Sequence, residues 1–471
     1  MSTFYVENFG CRATQADGAA IEQQFRSRGL DRSGDPGTAQ WVVLNTCAVT
    51  AAAEQDARAA IRRIRRDNPE CKIIVTGCYA QRAPAELAAV RGVSCVVGNS
   101  HKHNLAQIAL SAQSGRNSIA GCFFPVVALA KTQVDGTAAQ DLEGRLAKGA
   151  APIFVSDIFA HTQLLAAPVY DSANERTRPN LKVQDGCGNR CSFCIIPSLR
   201  GRSRSLPLDE VIHQVDQLCA AGYREVVISG INLGRWGRDL PGSRPPTLED
   251  LTRAILDRTR LQKLRISSVE PMDWSNSLIR LMADCPRIAK HAHVPMQSGS
   301  DAVLRRMHRK YRPWHYREKV ERIRAAMPTA AIGADVMVGF PGETDAEFED
   351  TRRMIEALPL TYLHVFTFSA RPGTPAASMP DQVPMHIARE RNRHLRELAA
   401  DKKLAFMRWF VGREVEAITL ASECGRSHHT AALTDNYLAM QLAGRHEANR
   451  WVRARVHALE AGQLIATPMQ L

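Results

Sequence analysis

The stretch Asp185-Gly186-Cys187-Gly188-Asn189-Arg190-Cys191-Ser192-Phe193-Cys194 separates three cysteines by three and then two residues. Leu181-Lys182-Val183-Gln184 before it reads as a strand, and the apolar pair Ile195-Ile196 follows. A cubane of four irons needs one thiolate for each iron that is held, so three cysteines on a tight loop can hold three corners and leave the fourth iron open to a small molecule. Structural zinc is the competing reading. Zinc takes four protein ligands with paired spacings, and the chain after Cys194 runs Ile195-Ile196-Pro197, so a fourth ligand would have to come from a distance. A disulfide framework fits less well. Met1-Ser2-Thr3-Phe4-Tyr5-Val6-Glu7 has neither the basic start nor the apolar core of an export signal, and twelve cysteines without one point to a reducing compartment and metal ligation.

Around this loop, residues 179 to about 385 alternate six strand candidates (181–185, 225–230, 263–269, 291–297, 331–340 and 362–369) with helical stretches such as Leu208 to Ala221 and Thr344 to Leu358. Six βα units close most of a barrel whose chemistry sits at the carboxyl ends of the strands, and the cysteine triplet follows the first of them. Residues 1 to about 115 show the same alternation: Phe4-Tyr5-Val6, a helix near 15–28, Trp41-Val42-Val43-Leu44, a helix over 51–67, Lys72-Ile73-Ile74-Val75-Thr76 and Cys95-Val96-Val97. That pattern predicts an open parallel α/β domain. Cys11, Cys47 and Cys78 each come just after a strand, 36 and 31 residues apart, so three thiols can converge at one sheet edge. Burial in the core is the alternative for each cysteine taken alone. Residues 116–178 carry no firm period and read as a linker or insert, while 405–471 read as a small β-barrel, a common nucleic-acid reader or equally an inert cap.

The chain has 471 residues, 45% of them hydrophobic, without a run of about 18 apolar residues, and is expected to be soluble and cytoplasmic. Lys and Arg total 61 against 48 Asp and Glu, a net charge of +13 that favours a polyanionic partner. The alternative is general solubility charge: the runs Arg62-Arg63-Ile64-Arg65-Arg66 and Arg305-Arg306-Met307-His308-Arg309-Lys310 could each be a solvated helix face. His291 and His293 share one face of the fourth barrel strand, a weak pointer to metal, and Cys71, Cys95, Cys122, Cys219, Cys285 and Cys424 have no spacing partner.

Two three-cysteine sets, one on an α/β domain and one on a barrel loop, with a small β tail, resemble the methylthiotransferase family of radical S-adenosylmethionine (SAM) enzymes. The resemblance spans nearly the whole chain except 116–178, and is carried further by Asn45-Thr46-Cys47-Ala48-Val49-Thr50, Val75-Thr76-Gly77-Cys78-Tyr79-Ala80-Gln81, Pro295-Met296-Gln297-Ser298-Gly299-Ser300 and Val338-Gly339-Phe340-Pro341-Gly342-Glu343-Thr344. Within the family these stretches are most similar to the branch acting on threonylcarbamoyladenosine in tRNA. Leu433-Thr434-Asp435-Asn436-Tyr437 resembles that branch's small RNA-binding barrel, called TRAM.

The resemblance implies an N-terminal domain over 1–115, a radical SAM core over 179–400 and a TRAM-like domain over 405–471. It implies two 4Fe-4S clusters, one on Cys187, Cys191 and Cys194 that cleaves SAM, the other on Cys11, Cys47 and Cys78. Candidate SAM contacts are Phe193, Gly230, Asn232, Ser268, Glu270, Gln297 and Gly339. Ser229-Gly230-Ile231-Asn232 stands where many radical SAM enzymes have Gly-Gly-Glu. No side-chain acid or base is expected to be catalytic, because the cofactors carry the hard step. The implied partners are tRNA, a reductant of flavodoxin or ferredoxin type and a sulfur donor. Isopentenyladenosine in tRNA and a ribosomal-protein aspartate are alternative substrates, and an iron-sulfur RNA-binding protein without turnover is the alternative class.

Overall fold

The computed structural model describes residues 2–111, 150–161, 164, 178–422 and 428–469. Most of the 116–178 segment, Cys122 and Cys424 therefore lie outside the described residues. The chain forms two compact units: residues 1–169, 185–189 and 194–204 make the first, and 170–184, 190–193 and 205–471 the second.

The first unit is built on β1 (Thr3–Asn8), β2 (Asp31–Arg32), β3 (Trp41–Thr46), β4 (Lys72–Gly77), β5 (Val93–Gly98) and β6 (Ile153–Phe154). They pair in parallel in the order β2-β1-β3-β4-β5-β6. β3 and β4 read as unbroken apolar runs because both faces are covered. Val42, Leu44, Ile73 and Val75 pack with Ala57, Ile61 and Ile64 of the helix Ala51–Asp67. The alternate residues Val43 and Ile74 pack with Ile21 and Phe25 of the helix Arg12–Arg26 and with Leu105 and Ile108. Thr50 starts the 51–67 helix by accepting from Ala53 N at 3.3 Å, a cap worth about 1 kcal/mol. The segment read as a linker contributes β6, an edge strand.

In the second unit β7 (Asn180–Asp185, its last residue in the first unit), β9 (Glu225–Gly230), β10 (Lys263–Ile266), β11 (His291–His293), β12 (Ala331–Val338) and β13 (Tyr362–Thr367) are the six predicted parallel strands; β8 (Arg204–Ser205) flanks β7. Bridges from Leu264 to Ile288 and from Ser268 to His293 continue the sheet from β10 to β11, giving the partial barrel. Thr344 caps the helix Asp345–Ala357 through a reciprocal box with Glu347.

The terminal strands β14 (Glu414–Thr419), β15 (His429–Thr434), β16 (Ala439–Ala443), β17 (Trp451–Glu460) and β18 (Gln463–Pro468) close into a small barrel, which removes exposed strand edges. It begins later than the sequence suggests: residues 405–409 finish the helix Met385–Trp409, whose Met407 and the following Phe410 fill the barrel core. The TRAM-like stretch joins the two barrels of this unit. Arg265 Nη1 donates to Asp435 O at 2.9 Å, and Asn436 Nδ2 to Thr329 O at 2.8 Å.

Candidate functional site

A parallel sheet ordered 2-1-3-4-5 reverses direction between its first and third strands, and the crevice beyond the carboxyl ends there is the place for a ligand. Cys11 caps the helix that follows β1, Cys47 comes directly after β3, and Cys78 directly after β4. Two glycines make the approach possible. Gly10, at φ +99°, lies where a Cβ would stand 2.7 Å from Cys47 Cβ; Gly77, at φ +97°, lies where one would stand 2.3 Å from Thr46 O. Cys11 is exposed, while Cys47 and Cys78 are 5% and 2% exposed. Burial, then the neighbouring Cys78, and more weakly Cys11, push the Cys47 thiol up to about 11, although a backbone N–H at Val49 and Arg200 pull the other way.

Beside these three thiols lies a buried group of two basic side chains and two carboxylates that no local sequence pattern shows. Lys102 Nζ bonds Asp17 Oδ2 at 3.0 Å and Asn45 Oδ1 at 3.3 Å. Arg200 Nη2 donates to the same Asp17 oxygen at 2.9 Å, and Nη1 to Asp185 Oδ1 and Oδ2 at 2.9 and 3.0 Å. Asn99 Nδ2 reaches Cys78 Sγ at 3.6 Å and Leu199 O at 2.9 Å. Three thiol sulfurs around one zinc ion would stand about 3.8 Å apart, as bonds of about 2.3 Å require. Among the described residues the group of three donors within 4.8 Å is His293, Asp335 and His364, not these thiols. The wider triad suits a cluster, and its donors fit one.

The other triplet lies on the loop after β7, as expected from the sequence. Gly186, at φ +71°, sits where a Cβ would meet Arg202 O at 2.0 Å, and Cys187 N donates to Gly201 O at 3.1 Å. Both contacts lie within the first unit. Within the second, Ser192 Oγ donates to Arg306 O at 2.7 Å and Arg309 Nη1 donates to Cys191 Sγ at 3.2 Å. Arg309 is 7% exposed and also pairs with Glu270. Burial works against its charge, but the Tyr311, Glu270 and Cys191 groups outweigh it and hold the guanidinium protonated. The run Arg305 to Lys310 is thus not wholly a solvated face: Arg306 pairs with Glu347 at 2.7 Å and Arg309 is interior. The run Arg62 to Arg66 does leave its arginines exposed around a buried Ile64.

The strand-end residues have these places. Gly230 allows Gln184 to approach, and Gln184 Oε1 accepts from Asn232 N at 2.7 Å. Ser268 bonds His293 Nδ1, and Glu270 bonds Arg309. Gln297, at φ +63°, accepts from Met337 N at 2.8 Å through its carbonyl. Gly339, at φ +73°, was expected to admit a ligand; the close neighbour is Ala388, 2.6 Å from where a Cβ would be. Phe193 packs edge-on to Phe340, ring centroids 6.4 Å apart. His291 Nε2 bonds Tyr362 Oη at 2.7 Å, so the two histidines do not act as a pair. Cys71 and Cys95 are buried, and burial pushes Cys95 up to about 12; Cys219 and Cys285 are half-buried.

Residues 181–355 match the radical SAM superfamily and residues 3–98 the uncharacterized protein family UPF0004. The chain is 33% identical to threonylcarbamoyladenosine tRNA methylthiotransferase MtaB of Rickettsia prowazekii, covering 98% of this chain and 96% of that one. It is 34% identical to the MtaB of Bacillus subtilis over 94% and 91% of the two chains. The tRNA-2-methylthio-N(6)-dimethylallyladenosine synthase of Novosphingobium aromaticivorans is 32% identical over 88% and 86%. Among solved structures, the radical SAM methyltransferase TsrM of Kitasatospora setae shares the fold at a TM-score of 0.56, with 15% identity over 80% of this chain and 75% of that one. No helix among the described residues is long and apolar enough to cross a membrane. With this likeness along nearly its whole length, the chain belongs to the radical SAM methylthiotransferase family, enzymes that work with a 4Fe-4S cluster and SAM.

Proposed function

We propose that this protein transfers a methylthio group to carbon two of the adenine in threonylcarbamoyladenosine, next to the anticodon of tRNA. The observation that carries this reading is one chain with two cysteine triads, each placed at strand carboxyl ends of its own parallel sheet, and near full-length relatives named for that reaction. The hydrogen on that carbon is not acidic, so a side-chain base could not remove it at a useful rate. A cluster on Cys187, Cys191 and Cys194 with SAM would supply the radical chemistry that takes it, and a second cluster on Cys11, Cys47 and Cys78 would supply an iron for the sulfur.

The protein's own residues support that chemistry. Arg309 donates to the Cys191 sulfur and fixes its place on the loop. Arg200, held charged by Asp185 and Asp17, lies close enough to feel the Cys78 and Cys11 thiols, while burial works against the charge of Lys102 beside it. Phe193 on the cysteine loop, Phe340 and Phe368 form an edge-to-face series of rings. Phe193, Gly230, Asn232, Ser268, Glu270, Gln297 and Gly339 are the proposed SAM-side residues. A flavodoxin- or ferredoxin-type reductant would supply the electrons, and a sulfur donor would supply the sulfur.

The net charge of +13 suits tRNA, and the exposed Trp409, with the Arg413 guanidinium 3.8 Å from its ring centre, offers a stacking platform for a base. Mass spectrometry of nucleosides from bulk tRNA, with and without this gene, tests the proposal. Loss of the methylthio group from threonylcarbamoyladenosine alone supports it; persistence of that nucleoside, where no other gene supplies it, defeats it. The dimethylallyladenosine relative favours one second reading, and the same spectrum separates the two.

A further inference from the structure

The second unit's parallel sheet carries a side-chain cluster that the chemistry above leaves unused. His293 ends β11, while Asp335 and His364 lie within β12 and β13. One donor atom from each stands within 4.8 Å of the other two. His293 Nε2 is 3.3 Å and His364 Nδ1 3.2 Å from the same oxygen, Asp335 Oδ1.

Charge-assisted N–H···O bonds close to about 2.7–2.9 Å, so both separations are long for such pairs. His293 Nε2 is moreover buried and, among the described residues, makes no hydrogen bond of good geometry. Donors around a divalent ion with bonds of about 2.1 Å are spaced roughly 3.0 Å apart in an octahedron and 3.4 Å in a tetrahedron, values that bracket those observed. Ser268 Oγ engages Nδ1 of the same ring, the outer contact that turns a liganding nitrogen inward. Alternation puts Asp335 on the face of β12 that carries Met337, which packs on the same apolar cluster as Phe193. The His293 ring lies parallel to Tyr362 at 6.0 Å, and Gly333 leaves room for that tyrosine. The His364 side chain is 56% exposed, which gives an ion a way in.

We propose that His293, Asp335 and His364 bind one divalent transition-metal ion through His293 Nε2, His364 Nδ1 and the Asp335 carboxylate, with its other positions open to water or a carboxylate oxygen. Two imidazoles and one carboxylate favour zinc, ferrous iron or manganese over magnesium or calcium. The site is independent of the substrate assigned above.

The test uses protein whose iron-sulfur sites are filled, dialysed against graded Zn2+, with zinc and iron measured together. Wild type should retain one zinc per chain beyond its iron. His364→Ala and Asp335→Asn should lose it, and Ser268→Ala should weaken it by about 10- to 100-fold, with iron content and melting temperature unchanged. Because the His364 side chain is largely exposed, His364→Ala keeps the barrel folded and decides the matter if Asp335→Asn does not fold. Zinc held equally by wild type and His364→Ala, or none held by wild type, overturns the proposal.

Discussion

Replacing Arg200 by methionine removes one of two cations from a buried quartet in the first unit. Arg200 is 2% exposed and binds both Asp185 oxygens and Asp17, while Lys102 holds Asp17 at 3.0 Å. Burial works against the guanidinium's charge, and the Asp185 and Asp17 carboxylates outweigh it. Two carboxylates and two cations sum to zero, so Arg200→Met leaves one negative charge in excess. Breaking a buried pair from one side costs about 3–5 kcal/mol. In a unit of this size each kcal/mol shifts the melting temperature by about 2–4 °C, so the variant should melt about 6–20 °C lower. Calorimetry of the full chain, following the first unit's transition, measures this. The double variant Arg200→Met with Asp185→Asn should recover part of the loss, because the excess charge goes. A fall of less than about 3 °C, or a double variant no better than the single one, would show that this quartet is not held by charge balance.

Cys191→Ala should lower iron from about eight to about four atoms per chain and abolish reductive SAM cleavage; unchanged cleavage sinks the assignment of that loop. Gly186→Ala places a Cβ 2.0 Å from Arg202 O at a left-handed φ of +71°, so it should destabilise by more than the roughly 1–3 kcal/mol of backbone strain alone and lose iron at the same loop, read by melting and iron content. Burial, then Arg204 and His103, lowers His161 to about 4, against the coulombic pull of Asp185. The neutral ring is therefore the one the fold favours: its stabilisation is full above the unfolded value of about 6.5 and is lost as pH falls toward 4. Allowing for the ring's partial exposure, the loss is about 1–2 kcal/mol. A stability profile over that window should flatten in His161→Gln, and an unchanged slope would count against it.

The six barrel strands, the 51–67 helix and both cysteine triads are legible in the sequence because their signals are local. Period-two and period-3.6 patterns mark elements within a few residues, and a cysteine next to a strand end reports its own place. The charge partners were not legible. Arg309 lies 118 residues from Cys191, and Arg200 lies 183 from Asp17. Each reads as one more surface arginine until packing buries it. The small barrel's true start, at Glu414, was hidden as well, since residues 405–409 continue an amphipathic helix whose last turn fills the barrel core.

Fold class, the order of the elements and the position of each of the six cysteines just after a strand follow from local sequence, since backbone periodicity is a property of neighbouring residues. Only the tertiary structure decided the order of strands in the first sheet, which put Cys11 and Cys47 on either side of its reversal, and the register that set His293, Asp335 and His364 side by side. The physical reason is that strand order and register are fixed by burial of whole faces, and a shift of one residue turns every side chain to the other face.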